Sequence, residues 1–253
     1  MNPALAFFLI LALGHVIGDF LLQPYWLVLA KRKGWLGLFI HVGTVTFITA
    51  ILAWNSIPLW WIWIVVLFLG HLFIDQFRTF VFTDNSKGKG LLLLILDQVA
   101  HFILIAVIAW AATGWTFSDL WLLHTPQTLN QYRMMAYLIG LATVLGVAPV
   151  LEAEVAVAVL AAQGTEIKHT VAIESSDRIV GGMERIVGTV LILLGFGILT
   201  PLVFLPRLAM LLYSSQAKSN RSTIITKVVT SLGTALLVGL VLYNIPMPII
   251  VGS

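Results

Sequence analysis

The 253-residue sequence contains no cysteine and few charged residues. Without cysteine there is neither a disulfide nor a thiolate metal ligand, so a metal site would be built from histidine, aspartate and glutamate. Charged residues make up 10% of the chain, against about 25% in soluble globular domains. Because 60% of the residues are hydrophobic and the mean hydropathy is +1.01, this shortage of charge predicts an integral membrane protein.

Several common catalytic motifs are also absent. The sequence has no glycine-rich phosphate loop, no dinucleotide-binding glycine fingerprint, no Gly-x-Ser-x-Gly elbow and no His-Glu-x-x-His motif. Nothing therefore supports a Walker-type ATPase, a serine hydrolase of that type or a zincin-type protease. The net charge of +3 is small and lies between the apolar runs, so it indicates membrane topology and no nucleic-acid partner.

Long apolar runs predict an all-α, polytopic helical bundle that forms a single membrane domain over residues 1–253. A helix needs about 20 residues to cross a bilayer, and the runs predict seven or eight transmembrane segments. Residues 1–113 would form a four-helix core, and residues 134–253 would add further membrane helices. The predicted spans are residues 3–23, 37–54, 58–80, 91–113, 134–162, 179–213 and 224–243.

Prolines interrupt the two longest runs. Pro149 lies in residues 134–162 and predicts a kinked or re-entrant segment, whereas Pro201 predicts a short helical hairpin within residues 179–213. Basic residues such as Lys31 follow the first run, and cytoplasmic loops carry the excess of Lys and Arg. The N-terminus is therefore predicted to lie outside.

The apolar runs contain histidine and aspartate residues spaced four apart. An ionisable side chain in a membrane helix almost always faces the bundle interior, where it pairs with another polar group, a proton or a metal. Residues four apart share one face of a helix, so each pair points in one direction. The pairs are His15 with Asp19, His71 with Asp75, and Asp97 with His101.

The pairs belong to an internal repeat of helical hairpins. Gly14-His15-x-x-x-Asp19 recurs as Gly70-His71-x-x-x-Asp75, and the same offset relates His41 to Asp97. A rise of about 1.5 Å per residue places the three aspartates roughly 8 to 9 Å below the cytoplasmic face, with His41 slightly shallower and the paired histidines roughly 14 Å deep. This shared depth predicts one polar site, as in membrane proteins whose sites lie between repeats.

A divalent metal would satisfy such a site, because crowded carboxylates in a low dielectric need cations or protons. Mixed imidazole and carboxylate ligands suit Zn, Mn or Fe. The aspartates would be ligands or would orient metal-bound histidines; alternatively, each pair is only a polar clasp between helices. The predicted metal ligands are His15, Asp19, His41, His71, Asp75, Asp97 and His101.

Glu184 and Arg185 are further candidates, because they follow two glycines near the start of a later apolar run at a similar predicted depth. The planar guanidinium of Arg185 would hold an anionic substrate group. An internal ion pair that fixes this helix explains the two residues equally well. The predicted catalytic set is Asp19, Asp75, Asp97, Glu184 and Arg185.

These motifs resemble the DUF3307 family of bacterial membrane proteins over residues 10–105, and Glu184-Arg185 is similar to a later family motif over residues 178–200. The resemblance implies a multi-pass protein of the bacterial inner membrane. The family's closely spaced Lys and Arg after that later motif are not kept, since Arg207 and Lys218 lie far apart. The matching residues are Gly14-His15-x-x-x-Asp19-Phe20-x-x-Gln23, Lys31, His41, Gly70-His71-x-x-x-Asp75 and Asp97-x-x-x-His101.

The pattern is also similar in kind to membrane-bound metal-dependent hydrolases. This analogy implies a metal that activates water near the cytoplasmic leaflet, and a lipid or lipid-linked substrate. An ion or proton-coupled transporter would use the same titratable residues, and a non-catalytic membrane partner would use them for helix packing alone. The apolar stretches at residues 4–13 and 102–113 favour the hydrolase, because they leave no obvious polar path outward, although residues 134–162 could still supply one.

Overall fold

The computed structural model describes residues 3–81, 89–114, 126–164, 175–213 and 217–245, and all regular structure in these ranges is helical. The π-helical turns Ile17–Leu21, Phe77–Val81 and Thr143–Val147 follow α1, α4 and α6 directly. The α-helices are α1 (Pro3–Val16), α2 (Tyr25–Lys33), α3 (Trp35–Leu52), α4 (Trp60–Gln76), α5 (Gly90–Thr113), α6 (Pro126–Ala142), α7 (Ala148–Ala162), α8 (Ser175–Leu193), α9 (Thr200–Tyr213) and α10 (Ala217–Tyr243).

Six helical segments among the described residues are long and apolar enough to cross a membrane, so the chain is a multi-pass membrane protein. The all-α fold class is therefore confirmed, whereas the total of seven or eight spans stays a prediction. The shorter helix at Gly197–Met210 is also apolar. The six segments are Ala4–Leu21, Trp35–Leu52, Trp60–Phe80, Gly90–Thr113, Tyr132–Ala162 and Arg221–Tyr243.

The two runs that contain prolines have different structures. Residues 132–162 stay helical throughout, and the π-helical turn Thr143–Val147 lies just before Pro149, the second residue of α7. Residues 179–213 instead divide into α8 and α9, with the break between Leu193 and Thr200. A Cβ atom added to Gly188 of α8 would lie 2.9 Å from the side chain of Thr200, so the two helices pack closely.

The chain divides into two compact units, and the single membrane domain stays a prediction. The first unit comprises residues 1–83, 95–142 and 245–253, and the second comprises residues 84–94 and 143–244. Within the first unit, α1 packs against α3 and α6, while α2 and α4 both pack against α3. Within the second unit, α10 packs against α7, α8 and α9.

Glycines in the repeated motif allow close packing of helices in the first unit. A Cβ atom added to Gly14 would lie 2.7 Å from the Cα atom of Thr49, and one added to Gly18 would lie 2.6 Å from the Cα atom of Val45. Side chains larger than hydrogen do not fit between the backbones of α1 and α3 at these distances. A Cβ atom added to Gly70 would instead meet the end of the Leu104 side chain of α5, 2.7 Å from its methyl carbons. The motif glycines therefore let the polar residues on neighbouring helices approach one another.

Candidate functional site

Four histidines and three aspartates come together in the interior of the first unit, and we call them the His/Asp cluster. They come from α1 and its π-helical turn, from α3, from α4 and from α5, and all are buried. Because each pair at i and i+4 lies on one helical face, the interior faces of these helices carry the whole set. The cluster consists of His15, Asp19, His41, His71, Asp75, Asp97 and His101.

His71 lies at the centre of the imidazoles. Its ring centroid is 4.3 Å from that of His101, 5.4 Å from that of His15 and 5.6 Å from that of His41. The rings of His15 and His101 stack at 4.8 Å. Since the four rings come from four different helices, the packing of the first unit determines these distances.

Two carboxylates face one nitrogen of His41. Its Nε2 atom lies 3.1 Å from Oδ1 of Asp19 and 3.1 Å from Oδ2 of Asp75, yet makes no hydrogen bond with suitable geometry. Gln23 satisfies both ends of its amide when its oxygen accepts a hydrogen bond from His41 Nδ1 at 3.0 Å and its nitrogen donates to the main-chain oxygen of Asp19. With the proton on Nδ1, Nε2 presents a lone pair to two carboxylate oxygens. Three acceptor atoms at this separation need a cation or a proton between them.

His71 and His101 also present nitrogens without a hydrogen bond. Both ring nitrogens of His71 and Nε2 of His101 are buried and have no hydrogen-bond partner among the described residues. His101 donates from Nδ1 to the main-chain oxygen of Asp97 at 2.8 Å, which leaves the lone pair on Nε2. Oδ2 of Asp75 lies 3.7 Å from His71 Nε2, and Oδ1 lies 3.9 Å from His101 Nε2. Burying an imidazole without a hydrogen-bond partner costs free energy, so these nitrogens are well placed to bind a metal ion.

Five residues of the His/Asp cluster form two groups of three that could hold a metal ion. Asp19, His41 and His71 make up the first group, and His71, Asp75 and His101 make up the second, with ligand atoms all within 4.8 Å of one another. Ligands about 2.1 Å from a tetrahedral ion lie about 3.4 Å apart, so the separations are close to those of a metal site. His71 belongs to both groups.

Asp97 and His15 belong to neither group of potential metal ligands, and both contact polar residues outside the His/Asp cluster. Oδ2 of Asp97 accepts hydrogen bonds from Arg78 at 2.7 Å and from Gln98 at 3.1 Å. His15 Nε2 lies 3.1 Å from the amide oxygen of Gln98 and 3.9 Å from Oδ2 of Asp19. The amide nitrogen of Gln98 donates to that same Asp19 oxygen at 3.2 Å. Gln98 thus links His15 and Asp97 to Asp19, which belongs to the first group of potential metal ligands.

Sequence reasoning missed three polar residues that contact the cluster. Lys31, although part of the family motif, and Arg78 were given no role beyond topology, because basic residues at the ends of membrane helices commonly indicate it. In the structure, Nζ of Lys31 lies 3.4 Å from Oδ2 of Asp75, and Arg78 donates to Asp97. Gln98 follows Asp97 in the same apolar run, and its polarity at that position was the available signal.

Two π-helical turns lie at the cluster. Asp19 is the third residue of the turn Ile17–Leu21, and Arg78 is the second residue of the turn Phe77–Val81. Leu22 donates to the main-chain oxygen of Ile17, five residues earlier, at 2.9 Å. Such turns occur frequently at functional sites, because one extra residue in a helix changes the direction of its side chains.

Glu184 and Arg185 lie in the second unit, where they form an Arg/Glu network with Glu152 and Arg207. Arg185 is fully buried, forms an ion pair with Glu152 and donates to the main-chain oxygen of Val144 at 2.6 Å. Arg207 Nη1 donates to Oε2 of Glu184 at 3.3 Å. These contacts match the ion-pair interpretation, and the role of Glu184 and Arg185 at the His/Asp cluster stays a prediction.

The glycine before Glu184-Arg185 has a packing role in this network. A Cβ atom added to Gly181 would lie 2.8 Å from Nη1 of Arg207 and 3.0 Å from Nη1 of Arg185. Glycine therefore leaves room for the two guanidinium groups beside α8. Glu152 and Arg207 were not predicted, because their sequence separation from Arg185 follows no helical spacing.

Comparison with known proteins identifies one family. The DUF3307 family, described as a protein of unknown function, matches residues 7–129. This part of the chain matches that family, as the motifs from Gly14 to His101 predict, and the match ends before Glu184 and Arg185. Neither the curated proteins nor the solved structures include a match to the chain.

Proposed function

We propose that the DUF3307 region of this chain is a membrane-embedded, metal-dependent hydrolase. The His/Asp cluster would hold a divalent ion, Zn, Mn or Fe, near the cytoplasmic leaflet of the bacterial inner membrane, and the substrate would be a lipid or lipid-linked molecule. The N-terminus would lie outside, because the basic residues after the first and third helices belong on the cytoplasmic side.

The central position of His71 carries this proposal. Both of its nitrogens are buried without a hydrogen-bond partner among the described residues, and it belongs to both groups of potential metal ligands. A histidine kept only for helix packing would be expected to donate to an acceptor on a neighbouring helix. Ligation of a metal gives His71 the partner that packing does not.

The residues of the cluster would divide into ligands and orienting groups. Asp19, His41, His71, Asp75 and His101 would hold the metal, whereas Gln98 and Asp97 would orient the ligands next to them. The bound metal would polarise an ester or phosphoryl group and lower the pKa of a bound water to near neutrality. Asp19 and Asp75 each have a second carboxylate oxygen, which would serve as the proton acceptor of the site.

The surroundings of the cluster favour a hydrolase over a transporter. Beyond the histidines, on the side away from Lys31, a core of buried apolar residues fills the space between α1, α3, α4 and α5. A transporter needs polar groups that reach both faces, whereas the side chains of this core are all apolar. The core includes Phe7, Ile10, Leu11, Ala53, Ile57, Ile64, Leu67, Ile105, Ile108 and Ala109.

Elemental analysis tests this proposal. Detergent-purified wild-type protein, His71→Ala and Asp75→Ala would each be incubated with Zn²⁺, Mn²⁺ or Fe²⁺, desalted and measured by plasma mass spectrometry. His124→Ala is the matched control, because it removes an imidazole that the proposal does not use. We expect near-stoichiometric metal in wild type and control, and loss of most of it in the other two variants.

The outcome decides between the candidate functions. Metal that depends on His71 and Asp75 justifies screening for hydrolysis of lipid esters and phosphates. A wild-type protein that holds no metal after incubation would rule out the hydrolase, leaving a proton pathway or helix packing as the role of the cluster.

A further inference from the structure

Two partly exposed cations border the buried His/Asp cluster. Lys31 lies on α2 and Arg78 on the π-helical turn Phe77–Val81, and α2 packs against this turn. The side chains of Lys31 and Arg78 are 15% and 28% exposed, whereas their carboxylate partners Asp75 and Asp97 are 2% and 5% exposed. The two cations therefore lie between the carboxylates and the surroundings of the protein.

The charge of this site leaves room for an anion. The three aspartates of the cluster carry three negative charges, and Lys31 and Arg78 carry two positive charges. One negative charge is therefore in excess when the histidines are neutral. A divalent metal changes this to one excess positive charge. A net charge in a low-dielectric interior is costly, so the metal-loaded site would be stabilised by a bound anionic group.

The chemistry of the cations favours phosphate. Arg78 donates a hydrogen bond from Nη1 to Asp97, its one hydrogen-bond partner in the described part of the chain. Its Nε and Nη2 donors therefore remain available to a bound anion. A guanidinium presents such donors in a planar fork that matches phosphate oxygens, and the Lys31 ammonium adds a point charge with three donors. Phosphate is thus the anion that both groups bind well.

The elements that carry the two cations also present apolar surface. Tyr25 and Trp26 on α2 are exposed, as is Leu36 at the start of α3, and the ring of Trp35 lies 5.3 Å from that of Phe80 in the π-helical turn. Aromatic residues beside basic ones are typical of the membrane interface, where lipid head groups lie. A phosphate carried by a lipid would reach Lys31 and Arg78 from within the bilayer surface.

We propose that the site takes a lipid with a phosphate head group, and that Lys31 and Arg78 bind the phosphate beside the His/Asp cluster. This inference rests on the proposed function, because the excess positive charge arises only when a metal is bound.

The test measures binding by thermal unfolding, followed by tryptophan fluorescence, of metal-loaded protein in dodecyl maltoside. The probes are dioctanoyl phosphatidic acid, dioctanoylglycerol, which lacks the phosphate, and inorganic phosphate. We expect phosphatidic acid to raise the unfolding temperature of wild type in a saturable way, and dioctanoylglycerol to have no such effect. If inorganic phosphate stabilises equally at the same concentration, the phosphate source is a soluble molecule, and the lipid part of the proposal is overturned.

Variants assign the effect to the two cations. Lys31→Met and Arg78→Met are expected to raise the half-saturating phosphatidic acid concentration at least tenfold. Arg32→Met and Lys33→Met are the matched controls, because both residues are exposed on α2, and they should stay within about threefold of wild type. The charge-preserving variant Lys31→Arg should retain most of the affinity, whereas Arg78→Lys keeps the charge but loses the planar fork and should lie between wild type and Arg78→Met. Loss of affinity in these as large as in the Met variants would point to packing and overturn the proposal.

Metal content measured on the same samples separates this inference from the proposed function. A wild-type protein that holds metal but shows no phosphate-dependent stabilisation overturns the phosphate site and leaves the hydrolase standing. A wild-type protein without metal overturns the hydrolase itself. Wild-type affinity in both Met variants likewise overturns the role of Lys31 and Arg78.

Discussion

Replacing Arg185 by methionine should destabilise the second unit by about 3 kcal/mol without changing the metal content of the first. Arg185 is fully buried and pairs with Glu152, and removing one partner of a buried ion pair costs about 3 to 5 kcal/mol, because the other charge is left without compensation. Nη2 of Arg207 lies 3.6 Å from Glu152 and compensates part of that charge. We therefore expect the lower end of the range.

The double variant makes this prediction sharper. Arg185→Met combined with Glu152→Leu removes both charges and leaves Arg207 paired with Glu184 at 3.3 Å. Since apolar replacement of a whole buried ion pair is often nearly neutral, the double variant should lose only about 1 kcal/mol, which is about 2 kcal/mol less than Arg185→Met alone. Unfolding in mixed detergent micelles with increasing dodecyl sulfate measures the free energies, and Arg178→Met on α8 serves as the control.

Two results would refute this reasoning. If Arg185→Met is as stable as wild type, the ion pair does not hold the second unit together. If Arg185→Met instead loses metal or phosphatidic acid binding at unchanged stability, Arg185 acts at the His/Asp cluster, as one interpretation of the sequence holds.

Three further predictions concern the first unit. Gly14→Ala should cost about 1 to 3 kcal/mol, because its Cβ atom would lie 2.7 Å from the Cα atom of Thr49; Gly43→Ala, which meets no atom within 4 Å, should be neutral or stabilising in the same unfolding assay. Chelation should lower the unfolding free energy of wild type by about 2.7 kcal/mol when metal was present at 100 times its Kd, but should leave His71→Ala unchanged; equal effects on both would contradict a specific site. Gln98→Leu should weaken metal binding by about 10- to 100-fold in competition with a fluorescent chelator, and unchanged affinity would show that Gln98 does not orient the ligands.

The convergence of the His/Asp cluster followed from spacing alone, because helical geometry relates sequence position to face and depth. His15 with Asp19 and His71 with Asp75 run in one direction, while Asp97 with His101 runs in the reverse order. Helices that cross in opposite directions place such pairs at equal depth. The structure accordingly brings the three pairs and His41 together in one unit.

The partners of the cluster did not follow from the sequence, because their roles depend on tertiary contacts. Lys31 has the position of a topology signal, and only the packing of α2 on α3 brings its ammonium to Asp75. The same limit applies to Arg185, whose partner Glu152 comes from α7, 33 residues earlier. Nor does composition predict the π-helical turn that contains Asp19, since one extra residue per turn leaves no pattern in side-chain type.

His71 belongs to both groups of potential ligands, and this has a consequence for stoichiometry. An ion held by Asp19, His41 and His71 withdraws a ligand from the group that contains Asp75 and His101, and the two positive charges repel each other at short range. Two ions at these positions would therefore compete, because binding of the first would weaken binding of the second. In a metal titration, the first equivalent would bind tightly and a second one far more weakly, so the binding curve would be biphasic or would end at one ion per chain.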